Sequence, residues 1–413
     1  VVFYKDIILH QWAGTALRFS HERFRRFRRS SQHYMLLFKR ASAQCLNKAF
    51  SSRSLPTILD VDFQFSDEFI RKHYRRLSRW ESDLLKVQQQ RTHDFFKSFS
   101  NTIEYLKKLE KLFSRSGQTV VPIGSCVNGL KKANSDLDIV LITHQKDNQR
   151  AGFEKKFVNV EAFRRAHMNR VAATLNGSKL VQAGSVHQLV FCNIKINPGE
   201  RDREIHDGTC VDLQFNNIGS IRSSLFVRTC VERSIVVPVV IHWLNSLFDV
   251  VKLKDSRNGL FSSYHLNMLA LHFFQSAPVS FCSNIFTHWP QLHPSFSWHR
   301  AAKFLTAETV DAKHIYAHDV QPISAAETIV RMIDYYSQLD LQNTAVGIDG
   351  KTYRRQMEQE DESFIQIVDP YFEEDPRTPR CNVRNGPSLV GETFSALKSE
   401  LECGAFRKLF LIR

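Results

Sequence analysis

Two aspartates, Asp136 and Asp138, stand one residue apart just before the apolar run Ile139-Val140-Leu141. Such a run reads as a buried strand. Alternation then puts both carboxylates on one face while Leu137 and Ile139 point into a core. Upstream, Gly124-Ser125 follows the strand-like stretch Thr119 to Ile123, where a helix can begin. There the backbone N–H groups and the Ser125 hydroxyl can hold phosphate. Far downstream, Val211-Asp212-Leu213-Gln214-Phe215 alternates apolar and polar residues, with Asp212 on the polar face. Like charges held together are costly unless cations neutralise them. A pair of divalent ions, Mg2+ or Mn2+, about 3.5–4 Å apart would do so, activating an attacking hydroxyl and stabilising a leaving pyrophosphate. A lone D-x-D is common in surface turns. The composite of G-S, S-D-L-D, an apolar strand and a distal V-D-L strand is not. It makes Asp136, Asp138 and Asp212 the expected metal ligands and catalytic groups, with Gly124 and Ser125 on the phosphates.

The rest of the chain is organised around that stretch. From Phe63 to Phe113 apolar residues, Phe95, Phe96 and Phe99 among them, recur mostly at three- and four-residue steps between charges, which predicts a helix. Thr119 to Ile123 and Ile139 to Thr143 read as strands, Glu161 to Leu175 as a helix, and Leu180 to Ile196 as strand-like pieces. Beyond Asn217 the texture is helical at 221–236, 238–250, 262–275 and 324–338. Strands first and helices after predict an α+β chain, a mixed-sheet domain followed by a helical one. The expected divisions are a basic extension at 1–75, a helical segment at 76–115, a catalytic domain at 116–217, a helical central domain at 218–400 and a C-terminal end at 401–413.

A net charge of +14 favours a polyanionic partner, nucleic acid above all. Residues 1–53 hold eleven Lys/Arg against two acids, and Arg23-Phe24-Arg25-Arg26-Phe27-Arg28-Arg29 interleaves rings with guanidinium groups. An RNA-gripping arm, a mitochondrial presequence and a solvated tail all have this composition. The eight cysteines lack C-x-x-C or Cys/His spacing, which argues against structural zinc and suits reduced thiols inside a cell. No stretch approaches the roughly 20 apolar residues of a membrane helix, so no membrane association is expected. The glycines lack the P-loop pattern, and His187, His206, His265 and His272 show no ligand spacing.

At this point the chain resembles the cytoplasmic poly(A) polymerases and terminal uridylyltransferases of the DNA polymerase β superfamily. The resemblance rests on G-S…S-D-L-D at 124–138, V-D-L-Q-F-N-N at 211–217, Asn258-Gly259-Leu260-Phe261-Ser262-Ser263-Tyr264 with its helix, and Ile367-Val368-Asp369-Pro370-Tyr371 through Arg380. It spans roughly residues 85–400. It implies a two-lobed molecule: a small mixed β-sheet nucleotidyltransferase domain and a mainly helical poly(A)-polymerase-associated domain. It also implies untemplated addition of nucleotides from an NTP to RNA 3′ ends. Ser125 would bind the β/γ phosphates, Ser263 would sit near them, Tyr264 would stack on the base, and Asp212 would also deprotonate the primer hydroxyl. Taken by itself, Tyr264 reads as an ordinary core aromatic.

This sequence departs from the pattern at several places. The family's helical K-x-W-A-K lysines are Ile241 and Asn245 here, with His242 between, which leaves Lys252 and Lys254 as candidate triphosphate partners. Ser223 and Ser224 replace an N-T pair that contacts ribose, and Asp375 or Pro376 stands where uridylyltransferases place a selector histidine. AMP is the expected nucleotide, with uridylyl or mixed poly(UG) tailing in RNA silencing as the alternative. A catalytically weak RNA-binding scaffold is the alternative from another class. With no separate RNA-recognition or zinc module in the sequence, target choice is expected to depend on the basic tail or on a protein partner, and the expected location is the cytoplasm, with a perinuclear granule or the mitochondrion as alternatives.

Overall fold

In chain order the elements are β1 (Pro56–Thr57), α1 (Gln64–Ser114), β2 (Thr119–Ile123), α2 (Ser125–Asn128), β3 (Leu137–Ile142), α3 (Asp147–Asn159), α4 (Glu161–Asn176), β4 (His187–Gln188), β5 (Ile194–Ile196) and β6 (Val211–Phe215). There follow α5 (Ile218–Arg233), α6 (Val236–Val250), α7 (Ser263–Gln275), α8 (Ile285–His288), α9 (Trp298–Thr306), α10 (Ala325–Gln338), β7 (Thr344–Gly347), β8 (Thr352–Arg354), β9 (Ile367–Val368) and α11 (Gly386–Glu402). The computed structural model describes residues 56–57, 61–132, 135–144, 146–178, 180, 187–188, 194–196, 211–276, 285–306, 324–355, 365–372, 385–406 and 409. The basic arm expected at 1–53 lies outside them, as do His206, Asp375, Pro376 and Arg380.

The larger, five-stranded sheet has the order β2-β3-β6-β5-β4. The pair β3–β6 is parallel and the other pairs are antiparallel, which makes the sheet mixed. Alternation works as the sequence predicts. Leu137, Ile139, Val211, Leu213 and Phe215 are buried, while Asp138, Asp212 and Gln214 keep some exposure. Helices α3 and α4 pack on each other, with Phe153 stacked on Phe157 and His167 meeting both rings edge-on. His167 and Phe157 also meet Phe215 edge-on or tilted, fastening this pair to the sheet. The paired asparagines after Phe215 have separate tasks. Asn216 turns the chain with φ 52° and its side-chain oxygen accepts from the Thr143 amide at 2.8 Å. Asn217 then caps α5, accepting from Ser220 N–H at 3.0 Å.

The second lobe is mainly helical, with α1 packed against α10 and α10 against α11. Leu77, Trp80, Leu84, Tyr105, Leu109 and Phe113 form the buried stripe of α1, although Phe96, part of the expected apolar pattern, is 55% exposed. The helix kinks at His73 (φ −112°, ψ 15°). Its start corrects the boundary expected at residue 75: Ser66 N–H donates to Asp334 at 3.0 Å, and Asp67 pairs with Arg331 at 2.7 Å. Residues 64–75 thus pack in the helical lobe, in keeping with the helical pattern read from Phe63 onward. The lobe also carries a sheet in the order β1-β8-β7-β9 that the helical reading missed. Those strands are only two to four residues long, too short for alternation to register.

Candidate active site

Parallel pairing of β3 with β6 sets Asp138 directly beside Asp212 in register. The strand β2 brings the Gly124 turn to the same edge, because Ile123 pairs with Asp138. Gly124 sits at φ +67°, and a Cβ there would lie 2.8 Å from Asp138 Oδ2. Only glycine permits both that conformation and that approach. The Gly124 N–H donates to Ser224 Oγ at 2.9 Å, so the turn is tied to α5 and that amide is committed within the protein.

Asp136 and Asp138 open onto a cleft of about 630 Å3 between the two lobes. Gly124, Ser125, Asp136 and Asp138 line it from the sheet side, Ser223 and Ser224 from α5, and Ser263 and Tyr264 from α7. Asp212 joins the site through its pairing with Asp138, and its face-mate Gln214 reaches the cleft wall. Of the residues read from sequence as phosphate, metal and base contacts, Gly124, Ser125, Asp136, Asp138, Ser263 and Tyr264 line one space, and Asp212 stands beside them in register with Asp138. Helix α7 is aimed by a capping box: Ser262 Oγ accepts from His265 N–H, and His265 Nδ1 accepts from Ser262 N–H, each at 3.3 Å. His265 is thus a capping residue. His272 is a satisfied core group, bonded to Gly347 O and to the Tyr335 hydroxyl at 2.8 Å each.

Tyr264 does more than pack. Its hydroxyl donates to Asp369 Oδ2, and Asp369 Oδ1 accepts from Tyr371 N–H at 2.8 Å. Burial, with Asp369 beside it, pushes the phenol far up, so it stays a proton donor. Phe372 meets the Tyr264 ring edge-on, and Gly219 of α5 lets this segment close in: a Cβ there would be 2.6 Å from Phe372. The Asp369 segment is therefore held to the cleft wall by α5 and α7 together.

Sequence reasoning missed Lys132, the one lysine or arginine among the described residues lining the cleft. Lys254, a candidate from sequence, is engaged by Asp249 at 3.2 Å, and Lys252 sits in a left-handed turn at φ 59°. The substituted positions Ile241 and Asn245 do line the cleft, with His242. Burial, with Arg91, Lys132 and Lys254 nearby, lowers His242 to about 3, so its imidazole is neutral. Cys126, though beside the site, is no nucleophile. Its thiol is buried, donates to Ile123 O at 2.9 Å, and is pushed up by that burial.

The donor chemistry suits a divalent cation. Asp136, Asp138 and Asp212 offer hard carboxylate oxygens without thiolate or imidazole, the set magnesium and manganese prefer. Among the described residues no three His, Cys, Asp or Glu side chains form a closed cluster. The fit therefore rests on donor type and on the Gly124–Asp138 approach. No helix of the described residues is long and apolar enough to cross a membrane.

Residues 80–232 match the family model of the central palm domain of mitochondrial-like poly(A) RNA polymerase. A curated relative, poly(A) RNA polymerase GLD2 of Xenopus tropicalis, is 25% identical over 224 residues, covering 53% of this chain and 38% of the relative. The chain thus matches well under half the length of that relative. Among solved structures, a GLD-2/RNP-8 complex is similar with TM-score 0.56 and 16% identity, over 80% of this chain and 98% of that one. A Cid1 poly(U) polymerase crystal structure is similar at TM-score 0.51 and 15% identity, over 79% and 93% of the two chains. These likenesses in structure bear on the fold.

Proposed function

We propose that this chain, which belongs to the cytoplasmic poly(A) polymerase and terminal uridylyltransferase family of the DNA polymerase β superfamily, adds AMP from ATP to RNA 3′ ends without a template. The observation that carries this reading is the register of Asp138 with Asp212, closed by the Gly124 turn against Asp138. Asp136, Asp138 and Asp212 hold divalent cations, which when bound neutralise the phosphates and lower the pKa of the attacking hydroxyl. Asp212 accepts the proton of the RNA 3′-hydroxyl. Ser125 and Ser263 hold the triphosphate from opposite walls of the cleft. Tyr264 stacks on the base, its hydroxyl kept on Asp369 so that the ring cannot rotate away. Pyrophosphate leaves as the 3′-oxygen bonds to the α-phosphorus.

Adenine as the base is supported by the curated GLD2 relatives, which are named poly(A) RNA polymerases. A protein partner for RNA targeting is supported by the GLD-2 chains of the same fold, which were solved with RNP-8 and with GLD-3.

The test is extension of a labelled oligoribonucleotide with magnesium or manganese and each NTP separately. Extension with ATP alone supports the reading. UTP alone overturns adenylation, and a need for UTP with GTP replaces it by mixed tailing. No extension under any condition makes the chain a scaffold.

A further inference from the structure

We infer that the polyphosphate of the nucleotide is gripped by Lys132, which stands outside helix α6 and is released from Asp249, with the buried imidazole of His242 on α6 as a hydrogen-bonding partner. The inference rests on the reading of the cleft as an NTP site.

A magnesium-bound triphosphate keeps net negative charge, and the cleft wall already carries Asp136 and Asp138. Some cation must answer both. The positions on α6 that face the cleft, Ile241 and Asn245, carry none, and Asn245 is occupied, donating to Asn267 Oδ1 at 3.0 Å and to Ile241 O at 2.9 Å. Lys132 supplies the charge from the other wall. Its backbone is fixed to the catalytic run, since Lys132 N–H donates to Ser135 Oγ and Ser135 N–H donates to Lys132 O, both at 3.0 Å. Asp136 follows Ser135 directly, so the Lys132 backbone is tied to the run that carries Asp136.

In the free protein Lys132 Nζ rests 3.6 Å from Asp249 Oδ2. Lys254 Nζ holds the same oxygen at 3.2 Å. When Lys132 turns to the phosphates, Asp249 therefore keeps a counter-ion, which removes much of the cost of breaking the pair. Burial beside Lys254 already weakens the proton hold of Lys132, so an anion arriving in the cleft gains more from it than from a solvated lysine. His242 completes the wall. It is 2% exposed, lines the cleft, and its Nε2 has no hydrogen-bond partner in the protein. A buried nitrogen left so is costly, and a phosphate oxygen would satisfy it as an N–H acceptor.

The experiment uses the full chain and two measurements. Binding of inorganic tripolyphosphate is followed by calorimetry, and extension kinetics are measured with whichever NTP the wild type uses. Lys132→Ala should weaken tripolyphosphate binding and raise KM for NTP by about tenfold, with kcat and KM for RNA changing little. Lys132→Arg should restore most of both, and His242→Phe should weaken tripolyphosphate binding by a smaller factor. Unchanged tripolyphosphate binding in Lys132→Ala overturns the proposal. So does a rise in KM for RNA alone, which would make Lys132 a contact to the RNA backbone. If the wild type extends no RNA with any NTP, the functional reading fails by itself, and the binding measurement still decides whether this wall grips polyphosphate.

Discussion

Tyr264 and Asp369 are more than a hundred residues apart in sequence, yet the tyrosine hydroxyl donates directly to the carboxylate. The bond joins the first turn of α7, on the cleft wall, to the segment that follows β9. Asp369 is 7% exposed and also accepts from Tyr371 N–H, so the carboxylate organises the turn as well as the ring. Tyr264→Phe keeps the ring while removing the donor. It should cost about 1–3 kcal/mol in stability, measured by denaturant unfolding, because a buried carboxylate loses a partner. KM for the nucleotide should rise more than kcat falls. A variant with wild-type KM would show that the ring needs no tether.

Gly124→Ala tests the approach of the β2 turn to Asp138, a proposed metal ligand. At φ +67° a methyl group is strained, and it would also press on Asp138 Oδ2 from 2.8 Å. The strain alone is about 1–2 kcal/mol, small beside the stability of a chain this size. Displacement of a catalytic carboxylate by even about 1 Å can cost roughly a hundredfold in rate. Extension should therefore fall by about that factor while the circular dichroism spectrum and the melting temperature stay near those of the wild type. Full activity in Gly124→Ala would mean that Asp138 does not act from this position.

The strand faces that carry the candidate site were more legible in sequence than the scaffold around them, and particular residues show why. Strand alternation is a local rule, so the faces of Asp138 and Asp212 could be read from their neighbours. Their register could not, since it depends on how β6 returns beside β3. Lys132 escaped notice because its importance comes from the cleft wall and Asp249, which lies far along the chain. The substituted positions on α6 drew attention to Lys252 and Lys254 instead, close in sequence but differently engaged. The second sheet was invisible for another reason. Its strands are brought together by β1, from the far N-terminal side, and β9, and carry no periodic pattern of their own.

Asp334 tests the place of residues 64–75. Its carboxylate is fully buried and accepts from Ser66 N–H at 3.0 Å, Lys398 Nζ at 2.9 Å and Gln338 Nε2 at 2.9 Å, joining α1, α10 and α11. Lys398→Met should destabilise the chain by about 3 kcal/mol, because it leaves that charge with neutral donors only. A chain beginning at residue 76 also loses Ser66 and the Asp67–Arg331 pair, and should melt lower still. One beginning at residue 54, which keeps β1, should not. Equal melting temperatures for the two truncations would return residues 64–75 to the status of an extension.

His242 sets a pH dependence of stability whose direction can be worked out. Its folded-state pKa is lowered, to about 3, first by burial and then by Arg91, Lys132 and Lys254. The unfolded chain protonates this histidine near the ordinary 6.5, so above that pH the residue has no effect on the balance. As pH falls below it, the unfolded state takes up a proton that the folded state refuses, and stability drops until pH nears the folded value. At about pH 5 the loss is roughly 2 kcal/mol, from about 1.5 pH units at 1.36 kcal/mol each. His167, lowered to about 4 chiefly by burial, adds to the loss in the same direction. The melting temperature of the wild type should therefore fall between about pH 7 and about pH 5. His242→Gln should be less sensitive over the same range, since glutamine takes up no proton in either state. If the two proteins lose stability in parallel, His242 is either protonated in the folded cleft or exchanges with water there, and the buried neutral imidazole is ruled out.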